Sequence, residues 1–316
     1  MRRSRWTLRL GWRRAGVRGL RGCRRRRGRC RPHRRERRMT PRPVILRRLT
    51  TGNGPRVLLL HGMADSVSIW DKPIALAPHR KALHQAEFFA AELPWRGTGP
   101  ADWGYRAEPS AWLAEALDTL AAAEGPADVV VGHSFSAMLL LDLLCGPAAP
   151  DLRGIVLISP YFRARPEDFD WATMTGLPEK FVLAMEEGIR LAAGARAKPV
   201  LHRAMAERLC EFIGPYGWSR FFESYLRTPW LRTENLTAPA LVVSGTGDRI
   251  AATAEAAALA ERLSTATLRT VEDAGHFPMA EQPERFADLL DEFLQRPAPV
   301  RGPAGKPPHP TSLERI

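Results

Sequence analysis

The stretch that decides the fold is VVVGHSFSAM, residues 129–138 of the 316-residue chain. Three β-branched residues, Val129 to Val131, lead into Gly-His-Ser-Phe-Ser, and an apolar run from Met138 to Leu144 follows. β-branched residues favour strands, and a longer apolar run after a turn is typical of a buried helix. The stretch therefore predicts a buried strand, a sharp turn at Ser134 and a helix.

A serine on such a turn has the setting of a nucleophile elbow, in which its hydroxyl projects above the end of a sheet. The helix that begins there directs its first N–H groups at the point where negative charge would develop. The last position of the usual Gly-x-Ser-x-Gly pattern holds Ser136, and because serine is small we expect the turn to form. The pattern is short, so an ordinary strand–loop–helix is the alternative for this stretch alone.

Strands and helices alternate on both sides of this stretch. The run RVLLL, residues 56–60, is apolar after its first residue, as expected for a strand covered on both faces. Further strands are predicted near 43–50, 87–93, 153–159, 239–244 and 267–271, and helices over 110–123, 134–145, 251–263 and 283–294. The alternation predicts an α/β fold, with a mostly parallel sheet flanked by helices.

The alternation stops between residues 161 and 233, where only helical segments are predicted, over 179–193, 200–213 and 218–225. An insertion of helices at that point of an α/β pattern predicts a helical cap. We therefore expect a core made of residues 39–160 and 234–296 and a cap over 161–233. The Pro-rich tail over 297–316 is expected to be disordered.

The formal net charge of the chain is concentrated in its first residues. Residues 1–38 hold eighteen arginines and one acid, which is a net charge of +17. The whole chain carries +13, so the residues after 38 carry −4. We expect this leader to be disordered, because it repels itself and lacks apolar periodicity. The leader could bind nucleic acid, act as a transit peptide or be a twin-arginine export signal. The change of charge at Met39 favours a fourth interpretation, in which translation starts at Met39.

The four cysteines do not form the pattern of a disulfide framework or of a common zinc site. Cys23 and Cys30 lie in the leader, whereas Cys145 and Cys210 lie in predicted helices, where we expect buried thiols. This distribution fits a reducing compartment, so a cytoplasmic protein is expected. No apolar run is long enough to span a membrane, and no membrane partner is expected.

The loop after the strand 56–60 can supply a hydrogen-bond donor to the serine, because open α/β sheets place their sites at the carboxyl ends of strands. It begins HGM, residues 61–63. The N–H of Met63, together with the N–H of Phe135, would form an oxyanion hole. We expect His61 to support this loop and His133 to be structural.

A carboxylate and a histidine follow two later strands. Asp248 ends the glycine-bearing turn GTGD, where it can orient a histidine, although a lone Asp also often caps the next helix. His276 lies on the short loop before the last helix. A serine hydroxyl needs a base to take its proton, and the base needs an anion to hold its tautomer. Asp273 is a rival acid, but it lies three residues from His276 and is expected to serve the turn.

The chain order Ser134, Asp248, His276 resembles that of the α/β-hydrolase fold superfamily, in its form with a helical cap. The resemblance covers most of the chain after the leader and rests on four motifs in the same order. It implies that Ser134 is the nucleophile, Asp248 the acid and His276 the base, with Met63 and Phe135 as oxyanion donors. The loop PWRGTG, after the strand near residue 90, matches the family only loosely, and we assign it no role.

The resemblance implies a serine hydrolase that cleaves an ester, thioester or related acyl bond of a mostly apolar small molecule, without a metal or organic cofactor. Epoxide and haloalkane hydrolases of this fold use Asp as nucleophile, so Ser134 argues against both. C–C bond hydrolases or lyases with the same three residues and haloperoxidase-like proteins stay open. So does a non-catalytic ligand-binding protein. Nucleic acid is an expected partner only through residues 1–38.

Aromatic side chains in the predicted cap either line an apolar substrate chamber or form the core of the cap itself. We assign Trp218 and Phe222 of this set to substrate binding, together with Phe277 beside the predicted base. The set comprises Trp171, Phe181, Phe212, Tyr216, Trp218, Phe221, Phe222, Tyr225 and Trp230.

Overall fold

The structure, a computed structural model, describes residues 44–97, 99–100, 102–147, 149–193 and 198–296. The predictions for the leader over 1–38 and for the tail over 297–316 lie outside the described residues. Within the described part of the chain, no helix combines the length and the apolar character needed to cross a bilayer.

A seven-stranded sheet forms the centre of the described chain. Its strands are β1 (Ile45–Arg48), β2 (Arg56–Leu60), β3 (Glu87–Glu92), β4 (Val129–His133), β5 (Gly154–Ile158), β6 (Ala240–Gly245) and β7 (Ala266–Val271). They lie in the order β1-β3-β2-β4-β5-β6-β7, and only β1, which pairs with β3, runs antiparallel to its neighbour. The predicted α/β class with a mostly parallel sheet is confirmed.

Helices connect the strands and cover both faces of the sheet. They are α1 (Asp71–Ala75), α2 (Lys81–Gln85), α3 (Trp103–Arg106), α4 (Pro109–Ala123), α5 (Phe135–Cys145), α6 (Trp171–Ala193), α7 (Pro199–Arg227), α8 (Thr253–Arg262), α9 (Pro278–Glu281) and α10 (Pro283–Gln295). Short 3₁₀ helices occur at Val67–Trp70, Ala77–His79, Pro166–Asp168, Thr228–Trp230 and Thr233–Asn235.

Successive residues of β2 point to opposite faces of the sheet and enter separate apolar cores. Val57 and Leu59 belong to the core that also contains Phe286 of α10. Leu58 and Leu60 belong to the other core, which contains the buried faces of α4 and α5. Because both faces are covered, the strand sequence is continuously apolar rather than alternating.

The helical insertion between β5 and β6 consists mainly of α6 and α7. Helix α6 begins at Trp171, earlier than the predicted start at residue 179, and Pro178 lies inside it. Helix α7 includes a kink at Gly214, whose φ of 67° and ψ of 177° are not helical. The segments predicted over 200–213 and 218–225 are therefore two helical segments of α7, separated by the non-helical backbone of Gly214.

Candidate active site

Ser134 lies on the turn between β4 and α5 in a strained backbone conformation. Its φ of 54° and ψ of −116° are values that residues other than glycine rarely adopt. Its N–H donates to the carbonyl of Ile158 at 2.8 Å, which holds the turn against the end of β5. The structure thus contains the sharp strand–turn–helix that the sequence predicts at this residue.

Gly132 allows β4 and α5 to approach each other closely. A Cβ atom at this position would lie 3.0 Å from the Cα and 3.1 Å from the N of Ala137. These are backbone atoms, which cannot rotate away as a flexible side chain can. The close contact explains why small residues surround the serine in the sequence.

Ser136, which replaces the glycine of the usual elbow pattern, links the elbow to the loop after β2. Its Oγ donates a hydrogen bond of 2.5 Å to the carbonyl of His61. Trp95 Nε1 donates to the same carbonyl at 3.4 Å. The serine therefore connects the helix behind the nucleophile to the loop that carries Met63, a contact that no local sequence pattern indicates.

Ser134, His276 and Asp248 form a hydrogen-bonded chain of buried side chains. Ser134 Oγ lies 2.9 Å from His276 Nε2, and His276 Nδ1 lies 2.9 Å from Asp248 Oδ2. The other Asp248 oxygen accepts the N–H groups of Ile250 and Ala251, each at 2.9 Å. This network assigns the imidazole proton to Nδ1, which donates to Asp248, so that Nε2 accepts from the serine hydroxyl.

Asp248 and His276 each stabilise the charged form of the other. Burial alone would raise the pKa of the Asp248 carboxyl, but His276 and the N–H groups of Ile250 and Ala251 hold that pKa below its ordinary value. Burial alone would lower the pKa of His276, but the Asp248 carboxylate raises it above the ordinary value. The pair is therefore suited to take a proton from the serine hydroxyl and to stabilise the resulting imidazolium.

Asp273, the rival acid, belongs to the turn before His276. Its φ of 54° is a left-handed conformation, and its carbonyl accepts a hydrogen bond from Gln282 Nε2 at 3.2 Å. The carboxylate in contact with His276 is that of Asp248, and the structure places Asp273 in the turn role expected from the sequence.

Met63 and Phe135 both line the cavity beside Ser134. Phe135 is the first residue of α5, so its N–H has no acceptor within the helix. The N–H of the neighbouring Ala64 donates to the Trp95 carbonyl at 2.8 Å, whereas the N–H of Met63 has no acceptor among the described residues. Two backbone donors close to the serine are therefore free to bind a ligand oxygen.

His61 and His133 support the backbone around the site. His61 Nε2 accepts the N–H of Leu93 at 3.1 Å, and its Nδ1 donates to the Gly62 carbonyl at 2.8 Å. His133 Nε2 donates to the carbonyl of His276 at 2.9 Å. Burial lowers the pKa of His61 to about 4 and that of His133 to about 3, so both rings are neutral at neutral pH.

A cavity of about 330 Å³ opens beside Ser134. The helical insertion supplies much of its wall, including Phe181 of α6 and Trp218 of α7, and Phe277 lines it next to His276. Phe181 and Trp218 stack with ring centroids 4.2 Å apart. Small-molecule sites are typically apolar cavities of this size with a few polar groups.

Phe222 does not line the cavity, and its neighbour Phe221 does. The structure therefore does not place Phe222 on this wall, and its assignment to substrate binding stays a prediction. Consecutive residues of an α-helix point about 100° apart, so the two rings face different directions. Phe222 packs edge to face against Phe181, with centroids 6.0 Å apart. Other aromatic residues of the insertion are exposed, and Trp171 retains 81% of its accessible surface.

Residues 57–289 match the model of the alpha/beta hydrolase family. The chain is 30% identical over 264 residues to the pimeloyl-[acyl-carrier protein] methyl ester esterase of Aromatoleum aromaticum, covering 77% of this chain and 99% of that protein. It is also similar to the solved structure of an esterase from Rhodococcus sp. ECU1013, with a TM-score of 0.55 and 19% identity over 79% of this chain and 94% of that one.

An enol-lactonase from Burkholderia xenovorans LB400 has a TM-score of 0.53 and 16% identity, over 80% of this chain and 96% of that one. At such low identity the likeness to solved structures shows a shared fold alone. The family model, in contrast, matches the chain from the second strand of the sheet to its last helix. The chain therefore belongs to the alpha/beta hydrolase family.

Proposed function

We propose that the chain is a serine hydrolase that cleaves an ester, thioester or related acyl bond of a mostly apolar small molecule. The observation that carries this proposal is the pair of 2.9 Å contacts that joins Ser134 Oγ to His276 and His276 to Asp248. An adjoining apolar cavity supports a small acyl substrate. The relatives named as esterases support an acyl bond as the target.

In the first step, Ser134 Oγ attacks the carbonyl carbon of the substrate while His276 Nε2 takes the hydroxyl proton. Asp248 accepts the hydrogen bond from Nδ1–H and stabilises the imidazolium that forms. The carbonyl oxygen becomes an oxyanion, for which the N–H groups of Met63 and Phe135 are the proposed donors. His276 then gives its proton to the leaving alcohol or thiol, and the acyl group stays on Ser134.

In the second step, a water molecule attacks the acyl-enzyme and His276 acts as base again. The same two N–H groups stabilise the second oxyanion. Collapse of that intermediate releases the carboxylic acid and returns the proton to Ser134. In this proposal the helical insertion is a cap, because α6 and α7 supply the wall that an acyl chain would contact.

A screen of esters and thioesters of increasing acyl length, with Ser134→Ala as the blank, tests this function. Each methylene buried in the cavity is expected to contribute about 0.8 kcal/mol, or about fourfold in kcat/KM, until the cavity is full. The proposal therefore predicts a definite optimum of chain length. Equal rates for the wild type and Ser134→Ala would contradict it, and a flat profile would remove the role of the cavity.

Trp218→Ala is expected to move this optimum toward longer acyl chains, because the indole forms part of the cavity wall. Phe222→Ala is the matched control, since its ring packs in the insertion and not on that wall. It should lower the melting temperature and leave the profile in place. The dependence of kcat/KM on acyl length and the melting temperature are measured for both variants. A shift of the optimum in Phe222→Ala alone would show that Phe222, and not Trp218, lines the cavity.

Glu187 of α6 brings a second carboxylate to the loop that carries His276. A Cβ atom on Gly275 would lie 2.4 Å from Glu187 Oε1, so the carboxylate packs directly against that glycine. After Asp248, Glu187 is the next group that raises the pKa of His276. The cap thereby contributes to the basicity of the proposed catalytic base.

Glu187→Gln is expected to shift the pH dependence of kcat/KM to lower pH. Neutral His276 is the active form, so activity rises with pH through its pKa, which lies above the ordinary value for histidine. Removing a nearby negative charge disfavours the imidazolium and lowers that pKa. Profiles for the wild type, Glu187→Gln and the neighbouring Glu186→Gln test this. The last should keep its midpoint, and an unmoved midpoint in Glu187→Gln would refute the effect.

A further inference from the structure

The loop after β2 places a carboxylate in the wall of the proposed catalytic cavity. Asp65 lines this cavity and, among the described residues that do so, is the only acid. It follows Ala64, whose φ of 59° is a left-handed conformation. Its carbonyl accepts the N–H of Gly97 at 3.3 Å, which joins it to another loop at the cavity. The side chain is thus held at the site by a defined backbone.

Only one oxygen of the Asp65 carboxylate accepts a hydrogen bond from the described residues. Its Oδ1 accepts the N–H of Ser66 at 2.8 Å. Its Oδ2 is buried and has no hydrogen-bond partner among the described residues. Buried polar atoms nearly always have a partner, so such an oxygen beside a substrate cavity marks a place for a ligand donor.

Uncharged polar groups also line this cavity, namely the hydroxyls of Ser66, Ser68 and Tyr161 and the neutral ring of His133. The hydroxyls of Ser66 and Ser68 lie 2.8 Å apart and bond to each other. Most of the remaining wall is apolar, as at Met185 and Ile189 of α6. Because Asp65 has the only carboxylate among the described lining residues, it is the group there that would pair most strongly with a hydrogen-bond donor.

The pKa of Asp65 is consistent with a carboxylate oxygen that lacks a hydrogen-bond donor. Burial raises the pKa of its carboxyl to about 7, although the N–H of Ser66 and the charge of His276 act in the opposite direction. Asp65 and the proposed base His276 both line this cavity, so the carboxyl lies on the same cavity as the bond to be cleaved. A donor from the substrate would stabilise the ionised form.

We infer that Asp65 recognises the substrate by accepting a hydrogen bond from a hydroxyl, ammonium or amide N–H group that lies within a few bonds of the scissile ester. This inference rests on the proposed function, because it takes the acyl compound to be bound beside Ser134. The substrate class is then an acyl compound with an apolar chain and one hydrogen-bond donor near the ester. A site built to pair with a donor discriminates strongly, since the analogue without it leaves a buried acceptor unpaired.

The test compares matched esters with and without a donor. One series consists of phenyl butanoate and its derivatives with a hydroxyl or ammonium group on C2, C3 or C4. The other consists of the ethyl, 2-hydroxyethyl and 2-ammonioethyl esters of butanoic acid, which place the donor on the alcohol. Each kcat/KM is divided by the rate constant for hydroxide hydrolysis, so that intrinsic reactivity cancels.

For the wild type, at least one donor-bearing ester should exceed its unsubstituted partner by about tenfold or more. In Asp65→Leu that ratio should fall to about one. Asp71→Leu, which changes an exposed carboxylate on the nearby α1, should keep the wild-type ratio. A preference for ammonium over hydroxyl identifies a cationic substrate, and equal preference identifies a neutral donor.

Wild-type ratios near one for every pair would overturn the inference. A ratio of donor-bearing to unsubstituted esters that stays at the wild-type value in Asp65→Leu would also overturn it. This includes the case in which Asp65→Leu slows all esters equally because it disturbs the loop or His276. Failure of the proposed function has a different signature, namely equal rates for the wild type and Ser134→Ala. Calorimetric affinities of Ser134→Ala for the same ester pairs then decide the inference, which fails if donor-bearing and plain esters bind equally.

Discussion

Asp248→Asn is expected to lower kcat by about 10⁴-fold without loss of the fold. The carboxylate accepts the Nδ1–H of His276 at 2.9 Å and fixes the tautomer in which Nε2 faces the serine hydroxyl. An amide can present its N–H₂ group to Nδ1 and so favour the wrong tautomer. Steady-state kinetics with the best ester, together with circular dichroism and the melting temperature, measure the two effects separately.

Asp273→Asn is the matched control for that change. Asp273 lies three residues before the same histidine, but it is the Asp273 carbonyl that accepts a hydrogen bond, from Gln282 Nε2. Its kcat is expected to stay within about threefold of the wild type, as for a change outside the reacting groups. A large loss in Asp273→Asn with a mild one in Asp248→Asn would show that the wrong carboxylate has been chosen.

A buried network around Glu255 joins the helical insertion to the core. Glu255, on α8, accepts the N–H of Phe162 at 2.8 Å and the hydroxyl of Tyr225, near the end of α7, at 2.9 Å. Arg163 Nη2 lies 3.2 Å from the same carboxylate, and Arg163 Nε donates to the Tyr225 hydroxyl at 2.9 Å. The network spans segments before and after the insertion, so it holds both ends of the insertion to the sheet.

Glu255→Ala is expected to lower the free energy of unfolding by about 3 kcal/mol, because it leaves buried donors and a partly buried guanidinium without their acceptor. Chemical denaturation gives this value. Glu261→Ala removes an exposed carboxylate from the same helix and should change stability by less than about 0.5 kcal/mol. Similar small effects for both variants would contradict the structural role of the network.

The sheet and the order of the proposed catalytic residues could be predicted because their signals are local. Strand β2 is a continuous apolar run, and both of its faces are covered in the structure. The turn at Ser134 follows from small residues between a β-branched strand and an apolar helix, and Gly132 shows the close approach that requires them. Each of these features depends on residues within a few positions of one another.

The limits and orientation of the helices in the insertion could not be predicted in the same way. The helix predicted from residue 179 begins at Trp171 in the structure and continues through Pro178. Phe221 and Phe222 are equally apolar, and only the packing of α7 determines which ring faces the cavity. Helix propensity and composition do not contain that information, because tertiary contacts decide both.

The supporting contacts of the site were also beyond sequence reasoning. Ser136 donates to a carbonyl 75 positions away, and Glu187 reaches the loop of His276 from α6. Asp65 lies in the loop after β2. From the sequence, only the N–H of Met63 in that loop was predicted to take part in the site, as an oxyanion donor. In each case the residue type is ordinary, and only its three-dimensional neighbours indicate its role.

If Ser134 is the nucleophile, a reagent that reacts with activated serines should modify it. The wild type is treated with a fluorophosphonate, and the modified peptide is located by mass spectrometry. We expect a single adduct on Ser134, absent in Ser134→Ala and present in Ser136→Ala, with loss of ester hydrolysis in proportion to labelling. An adduct on Ser136, or an active protein that carries no adduct, would contradict it.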